Sequence, residues 1–202
     1  MEFKQKKNID NLFSAGVMRI ETENYIIRGT RSGDWEDMIE IYQNKYLHKY
    51  SKVQYILTEK MAINLMTNIN YNFTLREAIT WIIERKIDGE KLGIISLSNI
   101  SHTDKKAEIG YAVKQSAMKK GVMGECLEKV IDILLELGFV RLEANVYRKN
   151  IASIKLCQKI GFENEGLRKK YLFNQDTNTY LDSYIFAVVD IKKVKVKRKV
   201  NK

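Results

Sequence analysis

Apolar residues recur at helical spacing in one long window and cluster or alternate in short runs elsewhere. Between Gly121 and Leu137, Met123, Leu127, Val130, Ile131, Leu134 and Leu137 fall on one face, and Gly138 supplies a C-terminal stop. The spacing predicts an amphipathic helix over that window. Residues Ala78 to Arg85 (AITWIIER), the turn Asp88-Gly89 and Leu92 to Leu97 (LGIISL) read as a β-hairpin. Further strands are predicted at Tyr25 to Arg28 (YIIR), Ala107 to Val113 (AEIGYAV) and Arg141 to Val146 (RLEANV), and a last pair at Glu163 to Phe173 and Tyr180 to Val188. The polar NQDTNT segment joins that pair.

Asp34 reads as the N-cap of a helix through Tyr42, with Trp35, Met38, Ile39 and Tyr42 at helical spacing. Ala152 to Lys159 reads as a short helix ended by Gly161. Residues 43–75, rich in Tyr, Asn and Lys, hold one or two helices of undefined limits. Strands, then helix–strand–helix, then a strand pair predict an α/β fold of the α+β type. Its sheet is mixed, mainly antiparallel and flanked by helices, unlike a doubly wound parallel fold. Residues 1–18 read as an extension, 19–190 as one domain and 191–202 as a tail. There is no internal repeat, no Pro/Gly/Ser-rich linker and no proline.

Composition changes this picture little. At 202 residues the chain supports one domain with a full core, and 45% hydrophobic with 30% charged residues is an ordinary globular balance. No run approaches eighteen apolar residues, and the N-terminus lacks a secretory signal, so no membrane association and a cytoplasmic location are expected. Met1 and Met18 are both plausible natural starts. Cys126 and Cys157, without CxxC spacing, and the distant His48 and His102 predict neither a disulfide nor a metal site.

Charge changes it more. The net charge is +10, but residues 191–202 (IKKVKVKRKVNK) carry seven basic residues and no acid, which leaves +3 for the rest. The tail reads first as a solvated terminus and second as a contact for RNA or ribosomes.

Candidate chemistry sits between Glu108 and Gly124: strand, connection, glycine, helix start. Unpaired N–H groups and the positive end of the peptide dipoles suit a helix start to a diphosphate. Gly121 lets backbone approach such a ligand, and Lys119 and Lys120 add charge.

The run AEIGYAVKQSAMKKGVMGECLEKVI resembles the coenzyme-A-binding segment of the GNAT superfamily, in its RimJ/RimL-like branch. The matching residues are Glu108, Ile109, Gly110, Tyr111, Lys120, Gly121, Met123 and Glu125. The block LGFVRLEANVYRKNIASIKLCQKIGFENEG continues the likeness through Leu137, Gly138, Arg141, Glu143, Ala144, Asn150, Ala152, Ser153, Gly161, Phe162, Glu165 and Gly166. Asp182-Ser183 precedes the last strand, and the likeness spans roughly residues 18–190. Two places depart from the pattern. Met118 stands where the superfamily has Gln or Arg, and Lys119 stands for the first glycine of the RimJ/RimL pair.

The resemblance implies an acetyl-CoA-dependent N-acetyltransferase with no metal. Its pantetheine arm would lie in a V-shaped opening between the Glu108–Val113 and Arg141–Val146 strands. Cofactor contacts are implied for Ala112, Val113, Met118, Lys119, Lys120, Gly121, Val122, Met123, Gly124, Asn150 and Ser153. Glu108 is the implied base, with Glu143 second. Many GNAT enzymes protonate the departing thiolate with a tyrosine in the short helix. Cys157 stands there, leaving Ser153 or Cys157 as the donor, or no protein donor at all. Asn150 either contacts pantetheine or caps the helix. Tyr111 and Trp81 are candidates for an acceptor site or for the core.

The expected acceptor is a protein or peptide α-amine; polyamines, antibiotics and amino sugars are the alternatives. Segment 43–75 holds one acidic residue, Glu59, and several lysines, which speaks against a polyamine. A monomer or homodimer is expected. A non-catalytic coenzyme-A-binding sensor and a basic RNA-binding protein are readings from other classes.

Overall fold

The computed structural model describes residues 8–51, 55–174 and 178–189. The basic tail and the middle of the NQDTNT segment lie outside the described residues. One sheet holds strands β1 (Ile20–Glu21), β2 (Tyr25–Gly29), β3 (Ile79–Arg85), β4 (Lys91–Ser101), β5 (Lys106–Val113), β6 (Arg141–Tyr147), β7 (Glu163–Asn174) and β8 (Thr179–Val188). Their order is β1-β2-β3-β4-β5-β6-β8-β7. Among these described strands only the β5–β6 pair is parallel. Helices α1 (Trp35–Tyr42), α2 (Lys45–Tyr50) and α3 (Glu59–Thr74) lie between β2 and β3, α4 (Val122–Glu136) joins β5 to β6, and α5 (Ile151–Ile160) joins β6 to β7. The mixed, mainly antiparallel sheet flanked by helices is the expected architecture, and segment 43–75 resolves into α2 and α3.

Period-two alternation along the strands builds two cores. Ile79, Trp81 and Ile83 face the same side as Ile109, Leu142, Ala144 and Val146, and there they meet the apolar stripe of α4 together with Cys157 and Ile160 of α5. Each fully buried apolar side chain of that stripe contributes about 1.5–3 kcal/mol. On the opposite side Ile82, Ile94 and Ala112 meet Met38 and Ile41 of α1 and Met66 of α3. Trp81 belongs wholly to the core, its indole N–H donating to the Met18 carbonyl at 2.9 Å. Ile9 and Leu12, on a 3-10 turn over Ile9–Leu12, are buried in the same core.

One expected cap is replaced. Asp34 holds the N-cap position of α1 but makes no side-chain hydrogen bond to that helix. Its carboxylate accepts from the Arg28 guanidinium at 2.8 and 2.9 Å and from the Arg31 N–H at 2.7 Å. Arg28 also donates to Glu84. A buried guanidinium requires carboxylates more strongly than a helix end requires a cap, because the helix end has water available. Burial opposes the Asp34 charge, but the bonds from Arg28 and Arg31 outweigh it and hold the carboxyl below the usual range.

Removing the Asp34 charge leaves the buried Arg28 guanidinium with Glu84 to balance it, and Glu84 is the more exposed of the two carboxylates. Asp34→Asn is therefore expected to cost about 3 kcal/mol in urea unfolding at neutral pH. The native carboxyl is depressed, so its contribution is complete above the unfolded-state value and is lost as pH falls through the folded one. The gap between wild type and variant should close on acidification; a gap that widens contradicts the assignment.

Candidate functional site

The β5–β6 pair carries the geometry of interest. Their register runs Lys106↔Arg141, Ala107↔Leu142 and Glu108↔Glu143, and stops. Both strands continue, β5 to Val113 and β6 to Tyr147, but residues 109–113 and 144–147 do not pair with each other. Each strand follows its other neighbour: β5 stays in register with β4 as far as Val113, and β6 with β8 as far as Tyr147. The result is a V whose apex is the Glu108–Glu143 pair. Its inner edges present main-chain N–H and C=O groups without a strand partner, the arrangement an extended ligand completes.

Glu108 lies on the α1–α3 side of the apex, half-buried, and accepts from Asn99 Nδ2 at 3.1 Å. Glu143, its parallel neighbour, is tied to Arg141 Nε at 2.5 Å, and Arg141 also binds Glu165. The two carboxylates therefore differ. Glu143 is paired with a guanidinium, whereas Glu108 accepts from a neutral amide. Gly110 is bare beside it, and a Cβ there would stand 2.8 Å from Ser96 Oγ.

On the α4–α5 side Tyr111 crosses from β5 to α5. Its hydroxyl is 2.5 Å from Ser153 Oγ and 3.4 Å from Cys157 Sγ. Burial, with Cys157 beside it, pushes the phenol well above its usual value. Cys157 is fully buried, and burial lifts its thiol to about 11 despite the bonds from Tyr111 and Ser153. Asn150 caps α5, its Oδ1 accepting from the Ser153 N–H at 3.1 Å and from the Tyr46 hydroxyl at 3.3 Å.

The helix start expected at Gly121 is present. Gly121 is left-handed (φ 82°) with no side-chain cap, and nothing stands within 4 Å of where its Cβ would be. Lys119 is left-handed as well (φ 60°). Lys119 and Lys120 are exposed, and Gly124 is half-buried against Leu156. Val122 and Met123 turn their side chains into the core, so only their main chain faces the loop. Met118 is half-buried, its Sδ 3.8 Å from Asn44 Nδ2. Ala112 packs into the α1–α3 core, and the Val113 carbonyl accepts from Asn44 Nδ2 at 2.9 Å.

Sequence reasoning missed the role of α2. Asn44, at its N-cap, holds the end of β5; Tyr46 reaches the α5 cap; and the Tyr50 ring lies 5.6 Å from that of Tyr147 at the end of β6. One short helix thus straps both arms of the V. No local pattern announces contacts that span tens of residues. Among the described residues no group of three or more His, Cys, Asp or Glu is placed to hold a metal ion. Cys126 and Cys157 are free thiols.

Comparison with known proteins agrees with this geometry. The acetyltransferase (GNAT) domain family matches residues 24–163. The uncharacterized N-acetyltransferase YoaA of Bacillus subtilis (strain 168) is 28% identical over 166 residues, covering 80% of this chain and 94% of YoaA. Among solved structures, Mycobacterium smegmatis RimJ in complex with CoA-disulfide superposes with a TM-score of 0.76 at 20% identity, over 87% of this chain and 88% of that one. A Salmonella typhimurium acetyltransferase that modifies the N-terminal serine of 50S ribosomal subunit protein L7/L12 superposes with a TM-score of 0.77 at 18% identity, over 86% and 99%. A sheet that opens at Glu108–Glu143 above a left-handed glycine at a bare helix start, matched by the family over most of its length, makes this chain a member of the acetyltransferase (GNAT) domain family.

Proposed function

We propose that the chain transfers an acetyl group from acetyl-CoA to the α-amine of a peptide or protein by direct attack, with Glu108 as base. The observation that carries this reading is the end of β5–β6 pairing at Glu108, a carboxylate that pairs with no cation among the described residues and stands at the apex of an edge-lined cleft. The site fits the donor: unpaired inner edges suit the amides of a pantetheine arm, and the open left-handed loop at residues 119–124 suits a diphosphate. Acetyl-CoA supplies the activated acyl group as a thioester.

The residues of this chain do the rest. Main-chain N–H groups at the start of α4 hold phosphate, with Lys119 and Lys120 adding charge. The inner edges of the V fix the donor's direction, and such positioning supplies much of the rate gain. Glu108 takes the proton of the attacking amine, directly or through water. An α-amine, with its ordinary value near 7.7–8.0 against about 10.4 for lysine, asks only a modest base.

At the leaving sulfur, Ser153 is the donor. Of the two directions open to the Tyr111–Ser153 hydrogen bond, the one in which the phenol donates leaves the serine proton free to point into the V. Cys157 fills space beneath them: a fully buried thiol raised to about 11 stays protonated and packed. The peptide acceptor is supported by the Salmonella neighbour, which acts on a protein N-terminus.

Glu108→Gln is expected to lower kcat by about 10²-fold and to remove the acidic limb of the pH–rate profile, with acetyl-CoA affinity unchanged by calorimetry. Unchanged turnover means that Glu108 is not the base. Gly121→Val places a β-branched residue in left-handed backbone, a strain of about 1–3 kcal/mol. Acetyl-CoA binding should weaken roughly tenfold while cooperative unfolding persists, and unaltered affinity would show the phosphate loop to be misplaced. Ser153→Ala should slow thiol release where Cys157→Ser leaves it near wild type; the reverse order identifies Cys157 as the donor.

A further inference from the structure

We infer that the acceptor carries a carboxylate close to its amine, and that Arg168 receives it; this rests on the acetyl-transfer reading above. On the α1–α3 side of the sheet Tyr147, Ser183 and Arg168 lie opposite one another across β6, β8 and β7. This row stands beyond the apex, beside the open part of the V. Arg168 is half-buried, with Nη1 donating to Asn145 Oδ1 at 3.0 Å and its guanidinium carbon 4.8 Å from the centre of the Tyr171 ring. Asn145 shares this face with Glu143, two residues nearer the apex.

Arg168 differs from the other arginines of the sheet. Arg28 binds Asp34 and Glu84, Arg85 binds Asp88 and Glu90, and Arg141 binds Glu143 and Glu165. Among the described residues Arg168 has an amide and a ring, both neutral, and no carboxylate. A guanidinium has five N–H donors in a planar fork matched to a carboxylate. Asn145 and Tyr171 hold that plane in place beforehand, which reduces the entropy lost when an anion docks.

The surroundings have the same sign. Lys45 and Lys49 are exposed on the strapping helix α2, and Lys149 is exposed where β6 leaves the V. Asp182, the acid near them, is committed to Arg148 and to the Lys170 N–H. The apex, by contrast, holds Glu108, with Glu143 and Glu165 sharing the Arg141 guanidinium. The face is thus acidic where the amine must react and basic beyond it. That polarity disfavours a polyamine and draws in an acceptor with a positive end and a negative end. Two residues of strand separate Glu143 from Asn145, about 7 Å, so the carboxylate lies a short reach from the amine. The side chain of Asp or Glu at the first positions of a peptide provides it, as does the α-carboxylate of a free amino acid.

The test compares thiol release from acetyl-CoA with four acceptors: a C-terminally amidated peptide beginning with Asp or Glu, its Asn or Gln counterpart, a free amino acid and its amide. The wild type should show a KM about tenfold lower for a carboxylate-bearing acceptor than for its neutral counterpart. Preference within the peptide pair identifies a side-chain carboxylate, and preference within the amino-acid pair an α-carboxylate. Arg168→Gln should erase the preference through KM with kcat unchanged, Arg168→Lys should retain part of it, and Lys45→Gln with Lys49→Gln should flatten its salt dependence. Equal use of charged and neutral acceptors by the wild type, or a preference that survives Arg168→Gln, overturns the inference. Absence of thiol release with every acceptor overturns it together with the reading it rests on, and calorimetric uptake of acetyl-CoA then shows whether the donor site still stands.

Discussion

The structure depends on a pairing that ends. Parallel strands β5 and β6 are bound to each other for three residues and to different neighbours afterwards, so the sheet divides into a β1–β5 leaf and a β6–β8–β7 leaf joined at Glu108 and Glu143. An opening of this kind would collapse if either leaf were free to turn. Antiparallel ladders along the outer edges prevent it, and α4 and α5 hold the leaves together from one side. The open edges are therefore a consequence of satisfied hydrogen bonding elsewhere, and cost the fold little.

Buried charge serves the other side. Lys114, at the end of β5, is 3% exposed and binds Asp37 and Glu40 of α1. Burial opposes its charge, but the two carboxylates outweigh it and hold the amine above its usual value. With Arg28, Asp34 and Glu84 anchoring the chain just before α1, these pairs fix that helix on the sheet at both ends. Helix α2 follows α1 directly, which is how Asn44, Tyr46 and Tyr50 come to rest across the V. Buried pairs of this sort add little net stability over apolar packing, but they orient what they join.

Much of this was legible beforehand because it is local. The stripe of α4, the Asp88-Gly89 hairpin and the helix start at Gly121 each follow from spacing or from a single residue's character. Asn150 as a cap needed only the N–H three residues on. What escaped depends on distant partners. Asp34 looks like a cap for α1 until Arg28 is placed beside it, and α2 and α3 carry mixed Tyr, Asn and Lys whose burial is decided by the sheet beneath. Arg168 is one basic residue in an exposed strand until its register with Tyr147 sets it beside the opening.

The exchange at position 157 shows why such partners matter to the chemistry. A phenol on α5 would occupy the volume that Cys157 and the Tyr111 ring now share, so the small residue on the helix and the large one on the strand are a single packing solution. Tyr111 enters from β5, and its hydroxyl meets Ser153 before it meets the interior of the cleft. On the acetyl-transfer reading proposed above, the group to meet the leaving sulfur would be an alcohol backed by a phenol, and the helix needs only a small residue at 157 to make room.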